Sequence, residues 1–178
     1  MPDQNPQLTA VDGTLRFQKE AWDRMAQACE KGYPREVCGL LFGPSEGISG
    51  FRVERVAILD NILLEQHAGR LRQLVEAGAV ALPSDRMKRG GAFEFLIDPE
   101  QHYKEILAAQ KRGLDQIGLF HSHPDHPAVP SATDAAQPFL SGWSNIVAAV
   151  HGGKFKEARS WLRKTEQDPF QEQRIVIE

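Results

Sequence analysis

One run of the sequence, from Gln116 to Asp134, constrains the fold more than any other. A short apolar segment, Gln116–Phe120, leads directly into His121-Ser-His123. Side chains alternate between the two faces of a strand, so both imidazoles would lie on one face at the strand's end. Prolines at positions 124, 127 and 130 exclude a helix in the segment that follows. The run therefore predicts a buried strand, an imidazole pair at its end and a stiff returning loop.

The returning loop predicts a metal site. Ser131 is predicted to cap a short helix with Asp134 at its third position. The loop would then bring Asp134 back beside His121 and His123. Two imidazoles and one carboxylate leave a fourth tetrahedral position open, as in catalytic zinc sites. Alone, His-x-His and Ser-x-x-Asp are common structural patterns, but together with the prolines they favour one Zn²⁺ per chain.

Periodicity outside this run predicts a mixed α/β domain. Apolar positions at helical spacing predict a helix over 17–31, ended by Gly32 and Pro34. The adjacent glycines 152 and 153 predict a hairpin turn. Strands are predicted at 36–42, 51–59, 92–97, 116–120, 145–150, 155–162 and 174–177. This order favours an α+β fold, a mixed sheet flanked by helices.

Two further segments complete this prediction. Residues 62–91 are interpreted as an insertion with a partial helix, because glycines and Pro83 interrupt their apolar pattern. A second helix is predicted to begin at the cap Asp98, with Gln101 completing a capping box, and to end at Gly113. Its apolar face would consist of Tyr103, Ile106 and Leu107.

Composition limits the other possibilities. The 178 residues fit a single domain over 14–178 with a polar, flexible tail over 1–13. A formal net charge of -3 does not favour a nucleic-acid or anionic-membrane surface. The two cysteines, Cys29 and Cys38, are too few for a disulfide scaffold, and Cys38 is expected in the core. The polar N-terminus lacks the pattern of a signal peptide, so a cytoplasmic protein is expected.

His121-x-His123-Pro followed by Ser131-x-x-Asp134 resembles the metal-binding signature of the JAMM/MPN metalloprotease family. The upstream run Pro34–Gly43, in which Glu36 precedes an apolar strand, resembles the other half of that signature. The likeness in element order covers residues about 15 to 165. It implies a cytidine-deaminase-like fold and cleavage of isopeptide or peptide bonds after the C-terminal glycines of ubiquitin-like proteins.

The resemblance also implies roles for individual residues. His121, His123 and Asp134 would bind zinc. Glu36 would accept a proton from water and pass it to the leaving amine, and Ser131 would donate a hydrogen bond to the oxyanion.

The short connection after Asp134 resembles the small stand-alone prokaryotic members of this family. It implies a ubiquitin-like sulfur-carrier protein as substrate, held by the insertion at about 61–92. Neither a nucleic acid nor a membrane is an expected partner, and a homodimer is left open.

Several alternatives are weighed against this interpretation. The same site would serve a deubiquitinase-like isopeptidase acting on another ubiquitin-like protein. A non-catalytic MPN interaction module is disfavoured because the ligands and Glu36 are all present. A nucleobase deaminase would need a Cys-x-x-Cys motif, which the sequence lacks. A RadC-like protein shares His-x-His-Pro, but the acidic net charge does not favour DNA binding.

Overall fold

The computed structural model describes residues 13–44, 51–81, 94–137 and 141–178. Two sheets organise them, a six-stranded sheet in the order β4-β2-β5-β6-β7-β8 and a three-stranded sheet in the order β3-β1-β9. Helices pack against the sheets, so the predicted α+β class is confirmed. Residues 1–12 of the predicted tail lie outside the described residues.

The elements are distributed along the whole described chain. The strands are β1 Leu15–Phe17, β2 Cys38–Pro44, β3 Phe51–Val53, β4 Arg55–Leu59, β5 Leu114–Pro124, β6 Ser144–His151, β7 Lys154–Leu162, β8 Gln171–Gln173 and β9 Ile175–Ile177. The helices are α1 Lys19–Gly32, a short 3-10 helix Glu65–His67, α2 Ala68–Glu76, α3 Pro99–Gln110 and α4 Ala132–Ala135. Among these described helices, none has the length and apolar character needed to cross a bilayer.

Strand β5 lies in the middle of the larger sheet and determines where the histidines are. It pairs antiparallel with β2 and parallel with β6. In this register Cys38 lies opposite His121. The residues that precede β2, including Glu36, are therefore brought beside the histidine end of β5.

Apolar side chains fill both sides of the larger sheet. One buried cluster joins α1 to the sheet through Met25 and Cys29, and a second contains Cys38, Leu40 and Leu119. Complete burial of an aliphatic side chain contributes roughly 1.5–3 kcal/mol, so these clusters hold β2 and β5 firmly in register. The core position predicted for Cys38 is confirmed.

The C-terminal hairpin forms as predicted. Strands β6 and β7 pair antiparallel, and the turn between them contains Gly152 at φ 56° and Gly153 at φ 77°. Both angles lie in the left-handed region, which glycine enters at little cost.

Several predicted elements differ from the structure. Phe17 belongs to β1 rather than to the helix over 17–31, and residues 51–59 form two strands in different sheets, interrupted at Glu54. The strand predicted over 92–97 is wrong for its described part, where only Ile97 forms an isolated bridge, with Asn61. In the first two cases a strand pairs with segments distant in sequence, and in the third the described part finds no such partner beyond one bridge, which local periodicity does not encode.

The apolar face predicted for α3 is wrong for two of its three residues. Tyr103 is 61% exposed and Leu107 is 40% exposed, whereas Ile106 packs against the second cluster and Ala109 is buried. The face of the helix that packs on the core is therefore the one that carries Ile106 and Ala109, and the large side chains of Tyr103 and Leu107 lie outside it. Asp98 caps the helix as predicted, but Gln101 accepts a hydrogen bond from the backbone N–H of Asp60 instead of completing a capping box.

Candidate metal centre

Three buried side chains converge at the end of β5. The Nε2 atoms of His121 and His123 are 3.1 Å apart. Asp134 places Oδ1 at 3.2 Å from Nε2 of His121 and Oδ2 at 3.4 Å from Nε2 of His123. A tetrahedral cation with ligands at 2.0–2.1 Å would hold neighbouring ligand atoms about 3.3 Å apart. The three residues therefore fit a small divalent cation.

The two imidazoles are oriented in different ways. Nδ1 of His123 lies 2.9 Å from the carbonyl oxygen of Pro127. A carbonyl only accepts, so Nδ1 carries the hydrogen and the neutral ring presents a lone pair at Nε2. The ring of His121 stacks on Phe95 with centroids 4.8 Å apart. A hydrogen bond on the far nitrogen of a ligating imidazole, like the one between His123 and Pro127, is typical of metal sites.

Asp134 is held by the capping box at the start of α4. The Oγ of Ser131 accepts from the N–H of Asp134 at 3.1 Å and donates to its Oδ2 at 2.7 Å. The N–H of Ser131 donates to the same Oδ2 at 2.6 Å. The short helix and its cap form as predicted. Burial opposes ionisation of Asp134, yet His121, His123 and Ser131 together lower its pKa.

Residues from other elements support the loop between His123 and Asp134. The indole N–H of Trp161 donates to the carbonyl of Ala128 at 3.0 Å. The guanidinium of Arg163 donates to the carbonyl of Ala135, just past the carboxylate, at 2.8 Å. These contacts fix both the middle and the end of the segment that carries Asp134.

Asp125 fastens the same loop to α1. Its carboxylate accepts from the hydroxyl of Tyr33 at 2.7 Å and from the N–H of Gly152 at 2.9 Å. Asp125 is exposed and has a φ of 56°, within the left-handed region. The structure thus gives Asp125 a role in shaping the loop, whereas the neighbouring His126 is exposed.

Glu36 lies beside the three converging residues but belongs to a different part of the chain. Its side chain is buried immediately before β2. Burial, together with the negative charges of Asp134 and Glu94, raises the pKa of Glu36 to about 9. A carboxyl group in such surroundings can hold a proton at neutral pH and release it when a positive charge is added nearby.

Glu94 and Phe95 were missed by the sequence reasoning. Both are buried, Glu94 beside Glu36 and Phe95 against His121. A single carboxylate within the apolar run 92–97 was the signal that could have indicated a functional position. These residues bring the segment that follows the insertion into the centre.

The sequence matches a known family model over most of its length. Residues 18–164 match the model described as prokaryotic homologs of the JAB domain. A relative from Haloferax volcanii, named desampylase, is 26% identical over 82% of this chain and 80% of its own. A desampylase from Pyrococcus furiosus is 29% identical over 80% of this chain and 76% of its own.

A solved structure shares the fold. The solution structure of a protein from Desulfitobacterium hafniense superposes with a TM-score of 0.67 at 26% identity and covers 92% of both chains.

Proposed function

Because the chain belongs to the family of prokaryotic JAB-domain homologues, we propose that it is a zinc-dependent metallopeptidase. Its reaction is hydrolysis of a peptide or isopeptide bond at the C-terminal Gly-Gly end of a ubiquitin-like sulfur-carrier protein. The observation that carries this proposal is the convergence of His121, His123 and Asp134 beside the buried carboxyl of Glu36. The proposal takes residues 14–178 as one catalytic domain.

The donor set favours zinc. Two imidazole nitrogens and one carboxylate oxygen suit zinc better than calcium or magnesium, which prefer oxygen ligands alone. Three protein ligands also leave a coordination position open, which catalytic zinc sites require. When bound, the cation supplies Lewis-acid polarisation and lowers the pKa of water.

Glu36 acts as the proton-transfer group in this proposal. The carboxylate accepts a proton from the attacking water and passes it to the departing amine. The surroundings that raise its pKa to about 9 in the metal-free protein favour the protonated form that the second step needs. A bound cation would lower this pKa and favour the ionised form that the first step needs.

Ser131 is proposed as the donor to the oxyanion. In the structure its hydroxyl donates to Oδ2 of Asp134. Rotation about the Cβ–Oγ bond redirects this hydrogen without moving the backbone, which the capping box holds. The same residue therefore orients a ligand and donates to substrate.

The substrate proposal rests on the relatives and on the insertion. The two relatives carry an enzyme name, desampylase. Phe95 stacks on His121, so the segment that follows the insertion reaches the centre. Arg70 of α2, within the described part of the insertion, donates to Asp98, the cap of α3, at 2.5 and 2.9 Å. This link between the insertion and the segment entering the centre supports a role for the insertion in holding a substrate tail.

The decisive experiment compares Glu36→Gln with the parent protein, both loaded with zinc. The substrate is a sulfur-carrier protein extended beyond its Gly-Gly end. General acid–base groups contribute about 10²–10⁴-fold, so kcat should fall by at least about hundredfold while zinc content stays at one per chain. Glu105→Gln, which alters an ion pair with Arg55, is the matched control and should cleave like the parent. Equal cleavage by Glu36→Gln would refute the mechanism.

A panel of carriers tests the substrate separately. Cleavage of at least one carrier extended beyond Gly-Gly is expected. If no carrier is cleaved but an isopeptide-linked ubiquitin-like conjugate is, the result favours the alternative of a deubiquitinase-like isopeptidase that acts on another ubiquitin-like protein. A purified protein that binds no zinc and cleaves nothing would identify a non-catalytic interaction module.

A further inference from the structure

The peptide bond between Glu36 and Val37 is held from both sides by side chains. Its carbonyl oxygen, that of Glu36, accepts a hydrogen bond from Nδ2 of Asn61 at 3.2 Å. Its N–H, that of Val37, donates to Oγ of Ser122 at 2.9 Å. Both polar groups of a single peptide plane are therefore bonded to buried side chains.

Ser122 is the central residue of the His-Ser-His segment. It is 1% exposed and points to the face of β5 opposite the two imidazoles. Its backbone N–H also donates to the carbonyl of Val37 at 2.8 Å. Ser122 thus bonds to the backbone on both sides of Val37, from a position between the two proposed ligands.

Asn61 uses every polar atom of its amide. It is 3% exposed. Besides Glu36, its Nδ2 donates to the carbonyl of Glu94 at 2.9 Å. Its Oδ1 accepts from the N–H groups of Leu63 at 3.2 Å and Leu96 at 3.1 Å. Asn61 therefore joins the start of β2 to the beginning of the insertion and to the segment that follows it.

These contacts matter because Glu36 precedes the sheet. Strand β2 begins at Cys38, so the Glu36–Val37 peptide lies outside the regular ladder. Buried backbone N–H and C=O groups require partners, and here side chains supply them. A peptide unit is planar and rigid, so fixing its two polar groups also fixes the position of the Glu36 Cα, from which the carboxyl side chain extends.

We propose that Asn61 and Ser122 are positioning residues that direct the Glu36 carboxyl at the space between His121, His123 and Asp134. This inference rests on the proposed function, because it requires Glu36 to transfer the proton. A displacement of about 1 Å at a reacting group can cost about hundredfold in rate. Loss of either hydrogen bond should therefore lower kcat while leaving substrate binding and zinc binding intact.

Ser122→Ala is the primary test, measured on the zinc-loaded full chain. We expect kcat to fall between about ten- and hundredfold, with KM and zinc content close to those of the parent. Ser122→Thr restores the hydroxyl and should recover most of the lost rate. Ser160→Ala is the matched control, since Ser160 is fully buried and donates to Gln173 at 2.7 Å in a different part of the sheet. Its kcat should equal that of the parent.

Asn61→Ala is the second test, because Asn61 bonds the same peptide at its carbonyl rather than at its N–H. It should reproduce the pattern of Ser122→Ala, a reduced kcat with zinc retained. Asn145→Ala is its control, since Asn145 also donates to two backbone carbonyls, those of Trp143 and Trp161. Because Asn61→Ala removes several hydrogen bonds, Ser122→Ala decides the question if the Asn61 variant does not fold.

A double-mutant cycle separates this inference from the proposed function. In a Glu36→Gln background, Ser122→Ala should change the residual rate by less than about twofold, because its effect acts through Glu36. A full further loss in that background, or a parental kcat for Ser122→Ala alone, would overturn the inference. Parental activity in Glu36→Gln itself would instead overturn the proposed function.

Discussion

The two halves of the candidate centre are organised differently. The ligand half, His121 to Asp134, is one continuous segment in which the proposed ligands bond to one another and to neighbours in that segment, as in the contact of His123 with Pro127. The Glu36 half depends on contacts between distant parts of the chain, those of the Glu36–Val37 peptide with Asn61 and Ser122. The difference shows that the His-His-Asp cluster can be encoded locally, whereas the position of Glu36 requires the folded protein.

Asp134→Ala should produce the largest effect and would test the ligand half directly. Even partners of metal ligands contribute about 10–100-fold to affinity, so removing a ligand should weaken zinc binding by more than about hundredfold. Competition with a chelator of known affinity measures this. Glu36→Gln should bind zinc like the parent. Equal losses in both variants would show that the two halves are not separate.

Ser131→Ala comes next. It removes the hydroxyl that bonds Oδ2 of Asp134 and the cap of α4. Zinc affinity should fall by about ten- to hundredfold, as for other groups that orient a ligand. The same chelator competition measures it, with Ser160→Ala as control. Zinc affinity equal to that of the parent would mean that the proline-rich loop alone holds Asp134.

The Glu36 half should make the stability of the chelator-treated protein depend on pH. The pKa of Glu36 is raised from 4.5 to about 9 by burial and neighbouring carboxylates, so the folded protein binds a proton that the unfolded chain releases. The free energy of unfolding therefore falls as pH rises from about 5 to 8. Glu36→Gln lacks this contribution. Its melting temperature should match the parent near pH 5 and exceed it by several degrees near pH 8.

Thermal unfolding in the presence of a chelator checks this expectation. Asp134, whose pKa is lowered, stays ionised across this range in both proteins and cancels in the comparison. A difference between the two melting temperatures that does not change with pH would contradict the assigned surroundings of Glu36.

Trp161→Phe should have the smallest effect. It keeps most of the ring but removes the hydrogen bond from the indole to the carbonyl of Ala128. One such bond contributes about 0.5–1.5 kcal/mol, so zinc affinity should change by no more than about tenfold. Isothermal titration with zinc measures the change. A loss as large as that of Asp134→Ala would mean that the ligand segment depends on β7 for its shape.

Local encoding also explains which features the sequence could predict. The cap at Ser131, the hairpin at Gly152–Gly153 and the facing of His121 and His123 depend on neighbouring residues and were predicted. The clustering of the proposed ligands is visible in the structure, whereas their metal and the roles of Glu36 and Ser131 stay predictions.

Features that depend on distant pairing were missed. The division of residues 51–59 between two sheets follows from pairing with β1 and β2. The exposure of Tyr103 and Leu107 follows from how α3 packs, which its own periodicity does not determine. Ser122 and Asn61 also gave no local signal, because an isolated serine or asparagine is common and their importance depends on which backbone groups they reach.

The hydrogen bond between His123 and Pro127 has a consequence for how the protein would acquire its metal. Since the backbone already holds the hydrogen on Nδ1, the neutral ring needs neither a flip nor a tautomer change before it coordinates. Coordination through Nε2 leaves the hydrogen on Nδ1 in its bond to the loop backbone, so metal uptake and the folded shape of the returning loop would reinforce each other.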